Sequence, residues 1–464
     1  MYALLRALAG IALRWFYRDI QVEGIERIPR DRALLLVVNH PNALVDALLV
    51  GSAVPRRVLI TAKSTLFVNP VADRLLRRLG VVPLRRASDE PSSRAAPSGP
   101  ARSGPARNRE TFQAVHDALR QGGAVLIFPE GKSHDEPSLA PLKTGAARMA
   151  LHAASAGDVP GLSIVPIGLT FERKDAPRTR VLVQVGEPIL MDSWPARADD
   201  QRGTPAEVLT REIDTRLRAV TANYATADEA ARAVRLANVV AAVLGPAERI
   251  GVVGRTLGVE VAIARRISDL ASQLEQADPA TRARVDALVE RLEAVRRTAA
   301  DRGILLEDVN ISVTSLAGAR FTAREGWLIA TAGPVALWGR LNHWLPFHAA
   351  RIVAARNIES AADPAMRTLV AGTAFVVIAY LAQTAVVAAL WGAVAGFVYL
   401  ASLPVAAEIN LYLSDRVRRA LQRARAFFLF RRDPDLRTRL IGEIEQLRDD
   451  VTLLDDELRR AKIA

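Results

Sequence analysis

A chain of 464 residues has room for one large domain with additions, or for two to three domains. With no cysteine it excludes disulfides and thiolate metal sites, and fits a reducing compartment. The formal charge of +12 points to nucleic acid or to an anionic membrane; with no nucleic-acid motif, 5% aromatic residues and half the chain hydrophobic, the membrane is the better match.

The first element is an apolar helix, Met1 to Phe16, carrying Arg6 and Arg14. It has no small-residue cleavage site after a hydrophobic core, so it reads as retained rather than as a cleaved signal. Leu4, Leu5, Leu8, Ile11, Ala12 and Trp15 share one stripe. That stripe faces either a membrane surface or the domain that follows.

Strands are expected at 33–38, 57–61, 80–84, 124–128, 163–171 and 180–185, and helices at 42–52, 69–78, 108–121 and 142–156. This alternation predicts an α/β domain over 20–225, with a mixed or largely parallel central sheet flanked by helices. An insert at 87–107, rich in Ala, Ser, Pro, Gly and Arg, interrupts it and reads as a flexible, solvated loop.

A helical region, 226–310, comes next; Asp278-Pro279 separates the Ile267, Leu270, Leu274 stripe from Val285, Leu288, Leu292 and Val295. Within 311–360, the uncharged stretch Gly326–Gly339 is short for a span and contains Pro334, so it reads as interfacial, re-entrant or a partner of a hairpin further along the chain. Leu369 to Ala407 holds no charged residue over 39 positions. A span needs about 20 apolar residues, so the 361–412 region is expected to be that hairpin, two spans joined near Trp391-Gly392-Ala393. Arginines on both flanks place both ends in the cytoplasm, and the expectation is an integral membrane protein of a bacterial inner membrane with the 20–225 domain in the cytoplasm. In 413–464, Leu440, Ile444, Leu447, Val451, Leu454 and Leu458 form a short coiled-coil seam that either makes a homodimer through 436–460 or folds back on 265–300.

Chemistry concentrates in four ordered segments. The first is Val37-Val38-Asn39-His40-Pro41-Asn42-Ala43-Leu44-Val45-Asp46. A strand delivers His40 to its end, Pro41 suits a helix start, and Asp46 returns to the imidazole from the next turn or two. A carboxylate on one ring nitrogen fixes the tautomer and frees the other nitrogen to take a proton. The second segment runs from Lys63-Ser64-Thr65-Leu66-Phe67 to Gly80-Val81-Val82-Pro83-Leu84-Arg85-Arg86. The third is Val125-Leu126-Ile127-Phe128-Pro129-Glu130-Gly131-Lys132-Ser133, running on to Pro141-Leu142-Lys143-Thr144-Gly145, and the fourth Ile164-Val165-Pro166-Ile167-Gly168-Leu169. Of five lysines in the chain, Lys63, Lys132 and Lys143 fall in these segments. A nucleotide-binding loop ending in Gly131-Lys132-Ser133 is excluded, because Leu126 stands where that loop needs glycine. No Gly-x-Ser-x-Gly elbow appears, so a serine-hydrolase reading is poor. His116 falls in a helical pattern and reads as a surface residue; His134 lies close to the third segment with its role open.

Together and in this order, these segments resemble the PlsC-like glycerolipid acyltransferases over residues 20 to 225. The five residues between His40 and Asp46 resemble the glycerol-3-phosphate acyltransferase branch, the commoner pattern having four. The resemblance implies transfer of a fatty acyl group from acyl-CoA or acyl carrier protein to the sn-1 hydroxyl of glycerol 3-phosphate, with lysophosphatidic acid the alternative acceptor. It makes His40 the base and Asp46 its partner. It assigns substrate binding to Asn42, Lys63, Arg86, Glu130, Gly131 and Lys143, with Arg86 on the phosphate and Glu130 on acceptor hydroxyls. Neither metal nor cofactor is expected beyond the acyl donor. The competing reading of another class is an inactive acyltransferase-fold scaffold in the membrane.

Overall fold

Five successive apolar residues, Leu34 to Val38, are each fully buried, as expected of a strand covered on both faces. The computed structural model describes residues 2–63, 74, 81–84, 104–155, 157, 159–194, 203–245, 256–274, 278–356 and 364–463. They fall into two compact units: 1–223 with 358–369, and 224–357 with 370–464.

The first unit is built on a sheet whose strands are β1 (Asp19–Glu23), β2 (Leu34–Val38), β3 (Val58–Lys63), β4 (Val81–Leu84), β5 (Ala124–Ile127), β6 (Ser163–Phe171), β7 (Arg180–Val185) and β8 (Ile189–Leu190). Their order is β1-β7-β6-β2-β5-β3-β4, with β8 beside β6. The run from β6 through β2, β5 and β3 to β4 is parallel; β6 meets β7 and β8 antiparallel. The expected mixed α/β sheet is therefore present. β1 is an edge strand outside the expected set, although Asp19, Gln21 and Glu23 alternate with Ile20 and Val22 along it.

The flanking helices are α1 (Tyr2–Phe16), α2 (Ala43–Ala53), α3 (Gly104–Arg120), α4 (Gly145–Ser155) and α5 (Pro205–Val220). Alternate residues of β2 serve the two faces. Leu35 and Val37 join Val115 and Leu119 of α3, Ala147 and Ala150 of α4, and Leu209 and Ile213 of α5. Leu34, Leu36 and Val38 join Ala47 and Val50 of α2. α5 opens with a capping box, Thr204 on the Glu207 N–H and Glu207 on the Thr204 N–H, with Pro205 behind it. At the other end its Val220 carbonyl lies so near β6 that a Cβ on Gly168 would meet it at 1.8 Å. The fourth segment's glycine thus admits a helix end to the sheet.

Two details differ from expectation. α3 begins at Gly104, inside the stretch read as the 87–107 insert; the rest of that insert and the expected helix at 69–78, apart from the helical residue 74, lie outside the described residues. His116 is buried, its ring 5.3 Å from that of His152, because it lies on the inner side of α3. α1 is the expected helix, and Leu13, Phe16 and the following Tyr17 pack with Val45 and Leu49 of α2 and Val181 of β7, while Leu8 and Ile11 stay exposed.

The second unit is helical: α6 (Ala227–Leu244), α7 (Leu257–Leu274), α8 (Pro279–Asp301), α9 (Ser315–Arg356), then α10 (Pro364–Trp391) from Val370 on, α11 (Ala393–Arg432) and α12 (Pro434–Ile463). Leu436, Leu440, Ile444 and Leu447 of α12 are buried against Val239 and Val243 of α6 and Leu292, Val295 and Ala299 of α8. Arg284–Glu457 and Arg266–Asp455 ion pairs, at 3.0 and 3.1 Å, flank the packing. From Leu436 to Leu447 the seam thus folds back within the chain, the second of the two expected outcomes, onto α8 and also onto α6.

α10 and α11 contain the segments Met366–Trp391 and Ala393–Arg432, long and apolar enough to cross a membrane by length and composition. Gly392, at φ +88°, separates them where the sequence predicts the turn. α11 runs unbroken to Arg432, so no boundary falls at 412. The stretch 326–339 is the interior of one 42-residue helix, α9, that continues through Pro334 and Pro346.

Candidate active site

The sheet assembles the site by ending three adjacent parallel strands at one edge. His40 follows β2, Glu130 follows β5, and Lys63 ends β3. Loops beyond the carboxyl ends of parallel strands are where ligands gather in α/β sheets. Asn39 fixes the exit from β2: its Nδ2 donates to the Leu169 carbonyl at 3.0 Å, and its Oδ1 accepts from the Leu169 N–H at 2.7 Å. The fourth segment therefore anchors the first.

His40 Nδ1 lies 3.0 Å from Asp46 Oδ2. The same oxygen accepts from the Asn42 N–H at 2.7 Å. Asp46 is completely buried in the first turn of α2, where the helix N-terminus favours negative charge. Burial nevertheless pushes its carboxyl above the ordinary range, against the opposing pull of His40, the Asn42 N–H and Lys174. The His40 ring stacks on Phe128, centroids 3.7 Å apart and planes within 13°. The carboxylate assigns the hydrogen to Nδ1, leaving Nε2 as the acceptor nitrogen. The side chain is 14% exposed.

Ala43, at φ +45°, sits in the left-handed region at the start of α2, and its N–H donates to Ser133 Oγ at 3.2 Å. A conformation of this kind costs about 1–2 kcal/mol in an L-residue. Here it lets the chain turn sharply from His40 into the helix that carries Asp46.

Two expected substrate ligands turn inward instead. Asn42 is 1% exposed; its Nδ2 donates to Tyr17 Oη at 3.2 Å and to the Lys174 carbonyl at 3.1 Å. Glu130 is 3% exposed; Oε1 accepts from the His40 N–H and Oε2 from the Ala140 N–H, both at 2.8 Å, and Oε2 also meets His134 Nε2. Both residues brace the loops around His40, since a segment leaving a strand end must satisfy its buried N–H groups locally.

Gly131 has φ +79°. A Cβ there would lie 2.7 Å from Lys143 Nζ and 2.9 Å from its Cε, so the lysine stem crosses over the glycine. The structure thus joins Gly131 and Lys143, 12 residues apart, in one surface. Lys63 sits at the end of β3, and nothing is described of its side chain; Arg86 and Arg85 lie outside the described residues.

Sequence reasoning missed Tyr17 and Lys174. Tyr17 is buried beneath Asn42, and burial keeps its hydroxyl protonated far above the ordinary phenol range. Lys174 Nζ donates to the Pro41 carbonyl at 3.1 Å and pairs with Asp135. The scarcity of lysine was the available signal: Lys63, Lys132, Lys143 and Lys174 leave only Lys462 elsewhere in the chain.

Residues 19–170 match the family model described as Acyltransferase. That match lies within the first unit. Over 118 residues the chain is 42% identical to glycerol-3-phosphate O-acyltransferase 2 of Saccharomyces cerevisiae, covering 25% of this chain and 16% of the yeast protein. Over 170 residues the chain is 27% identical to a chloroplastic 1-acyl-sn-glycerol-3-phosphate acyltransferase of Arabidopsis thaliana, covering 36% of this chain and 40% of the plant protein. The chain thus spans less than half the length of either relative. A solved 1-acyl-sn-glycerophosphate acyltransferase from Thermotoga maritima aligns at 21% identity and a TM-score of 0.32, over 47% of this chain and 78% of that one. The His40–Asp46 pair and the Glu130–Gly131 loop both fall inside the matched acyltransferase domain. The yeast and plant relatives lend no support to the bacterial inner membrane expected from the sequence.

Proposed function

We propose that the protein is a membrane-associated glycerolipid O-acyltransferase that moves a fatty acyl group from a thioester, acyl-CoA or acyl carrier protein, to the sn-1 hydroxyl of glycerol 3-phosphate. The observation that carries this reading is a histidine with one nitrogen on a buried carboxylate and the other open, inside an acyltransferase domain. His40 Nε2 takes the hydroxyl proton as the oxygen attacks the thioester carbonyl, and Asp46 stabilises the imidazolium. The new C–O bond forms, the C–S bond breaks, and the proton passes from His40 to the departing thiolate. No acyl-enzyme is needed, because the substrate supplies the nucleophile.

Arg86, Lys63 and Lys143 are the cations offered to the acceptor phosphate, the guanidinium by two hydrogen bonds. Lys143 has its position over Gly131 in support. Two apolar helices would hold the site at a lipid surface, sparing the acyl chain and product full exposure to water, with flanking arginines on the cytoplasmic side. The plant relative's name favours one second reading, lysophosphatidic acid as acceptor.

The test is transfer from labelled palmitoyl-CoA by purified protein in detergent, offering glycerol 3-phosphate and lysophosphatidic acid in separate tubes, with His40→Ala as the blank. Label in lysophosphatidic acid from the first tube supports the proposal. Label in phosphatidic acid from the second alone changes the acceptor. No label in either tube, with acyl carrier protein tried as donor too, removes the enzymatic reading in favour of an inactive scaffold.

A further inference from the structure

His134 has no place in the proton transfer, yet it is tied to the catalytic loop at three points. Its N–H donates to the His40 carbonyl at 3.3 Å. Its Nδ1 accepts from the Glu136 N–H at 3.2 Å. Its Nε2 meets Glu130 Oε2. The hydrogen-bond chemistry of this chain of contacts has one solution. A backbone N–H is only a donor, so Nδ1 carries no hydrogen. Nε2 then holds the ring hydrogen and donates it to Glu130. Among the described residues Glu130 faces three donors, the N–H groups of His40 and Ala140 and the His134 ring. A carboxylate this buried is tolerated only while those donors stay in place.

We propose that His134 is a positioning residue for the base: it holds Glu130, and Glu130 in turn fixes the main chain of His40, so that Nε2 stays aimed at the acceptor hydroxyl. The inference rests on the reading of His40 as the base. The clamp encloses His40 from both sides of its peptide, since Glu130 binds its N–H and the His134 N–H binds its carbonyl. Ser133, one residue away, holds the Ala43 N–H and ties the same loop to the start of α2. Loop 130–134 therefore fixes the base, while Asp46 fixes its tautomer. Misplacement of a reacting group by about 1 Å costs roughly 10²-fold in rate, which sets the scale of the expected loss.

The experiment uses the full-length protein in detergent, with palmitoyl-CoA and glycerol 3-phosphate, comparing wild type with His134→Gln, His134→Asn and His134→Ala. Glutamine places an amide N–H near the position of Nε2; asparagine reaches only that of Nδ1. The expected result is a fall in kcat of roughly 10²-fold for the Asn and Ala variants, both KM values staying near wild type, and recovery of most of the rate by Gln. Amide hydrogen exchange of the segment containing His40 gives a second readout independent of turnover: faster in Asn and Ala, near wild type in Gln. Unchanged kcat in His134→Ala overturns the inference. So does a Gln variant as slow as Ala, or a loss confined to the acceptor KM, which would make His134 a substrate contact. If wild type transfers to neither acceptor, the functional reading has failed; the exchange result then decides the clamp alone, unchanged exchange at His40 overturning it.

Discussion

His40 in the sheet unit and His343 in the helical unit are both histidines held by two kinds of partner, and only His40 is paired with a carboxylate. His343 is 1% exposed on α9; its Nδ1 is 2.7 Å from the Gly339 carbonyl and its Nε2 2.7 Å from Tyr380 Oη. Both ring nitrogens are spent on neutral groups, and the result is a satisfied polar contact between helices. His40 spends one nitrogen on a carboxylate and keeps the other open toward a sheltered surface. Burial alone does not suit a histidine to proton transfer; the proposed role of His40 rests on the second ring nitrogen, which has no hydrogen-bond partner among the described residues.

The sharpest way to break this contrast is to delete each ring. His40→Ala is expected to lower transfer by roughly 10²–10⁴-fold with little change in thermal unfolding. His343→Phe is expected to keep near-normal transfer while losing about 1–3 kcal/mol of stability, because Tyr380 is left without its partner. Equal losses of activity in the two variants would erase the distinction.

Asp46→Asn tests the charge itself. Losing the correct tautomer is expected to lower kcat by up to roughly 10⁴-fold, as in related His–Asp pairs. Its effect on stability has the opposite sign. Burial raises the carboxyl above its ordinary value of 3.8. Between that value and the raised one, the folded protein binds more protons than the unfolded chain. Wild-type stability is therefore full below the ordinary value and falls as pH rises through the raised one. Asp46→Asn lacks that slope, so denaturant midpoints measured from pH 4 to 8 should show the variant gaining on wild type as pH increases.

Packing positions give the next effects, and they separate framework from site. Leu440→Ala in α12 should cost about 2–5 kcal/mol and leave the sedimentation coefficient unchanged, since its side chain is buried within the chain. A shift from dimer to monomer would restore the seam to an interface. Gly131→Ala is the smallest: the positive φ costs about 1–2 kcal/mol, and the methyl group displaces Lys143. A rise in the acceptor KM with kcat nearly unchanged is the expected kinetic signature, and an unaltered KM would take Lys143 out of phosphate binding.

The sequence by itself determined the strands β2 to β7, the histidine at a strand end, the carboxylate that returns to it and the place where the apolar helices break at Gly392. These are local properties: an apolar run, a proline at a helix start, a charge-free stretch, a glycine free to adopt positive φ. Tertiary structure decided which polar side chains are engaged within the protein. Asn42 and Glu130 carry the same groups whether they bind substrate or brace a loop. Only the partners supplied from far along the chain, Tyr17 and Lys174 for one and the N–H groups of His40 and Ala140 for the other, consume those groups. The same holds for α12, whose apolar seam is legible by its spacing, while α6 and α8 are what cover it. Periodicity names a face to be buried; the partner for that face comes from contacts distant in sequence, which one stretch of chain does not encode.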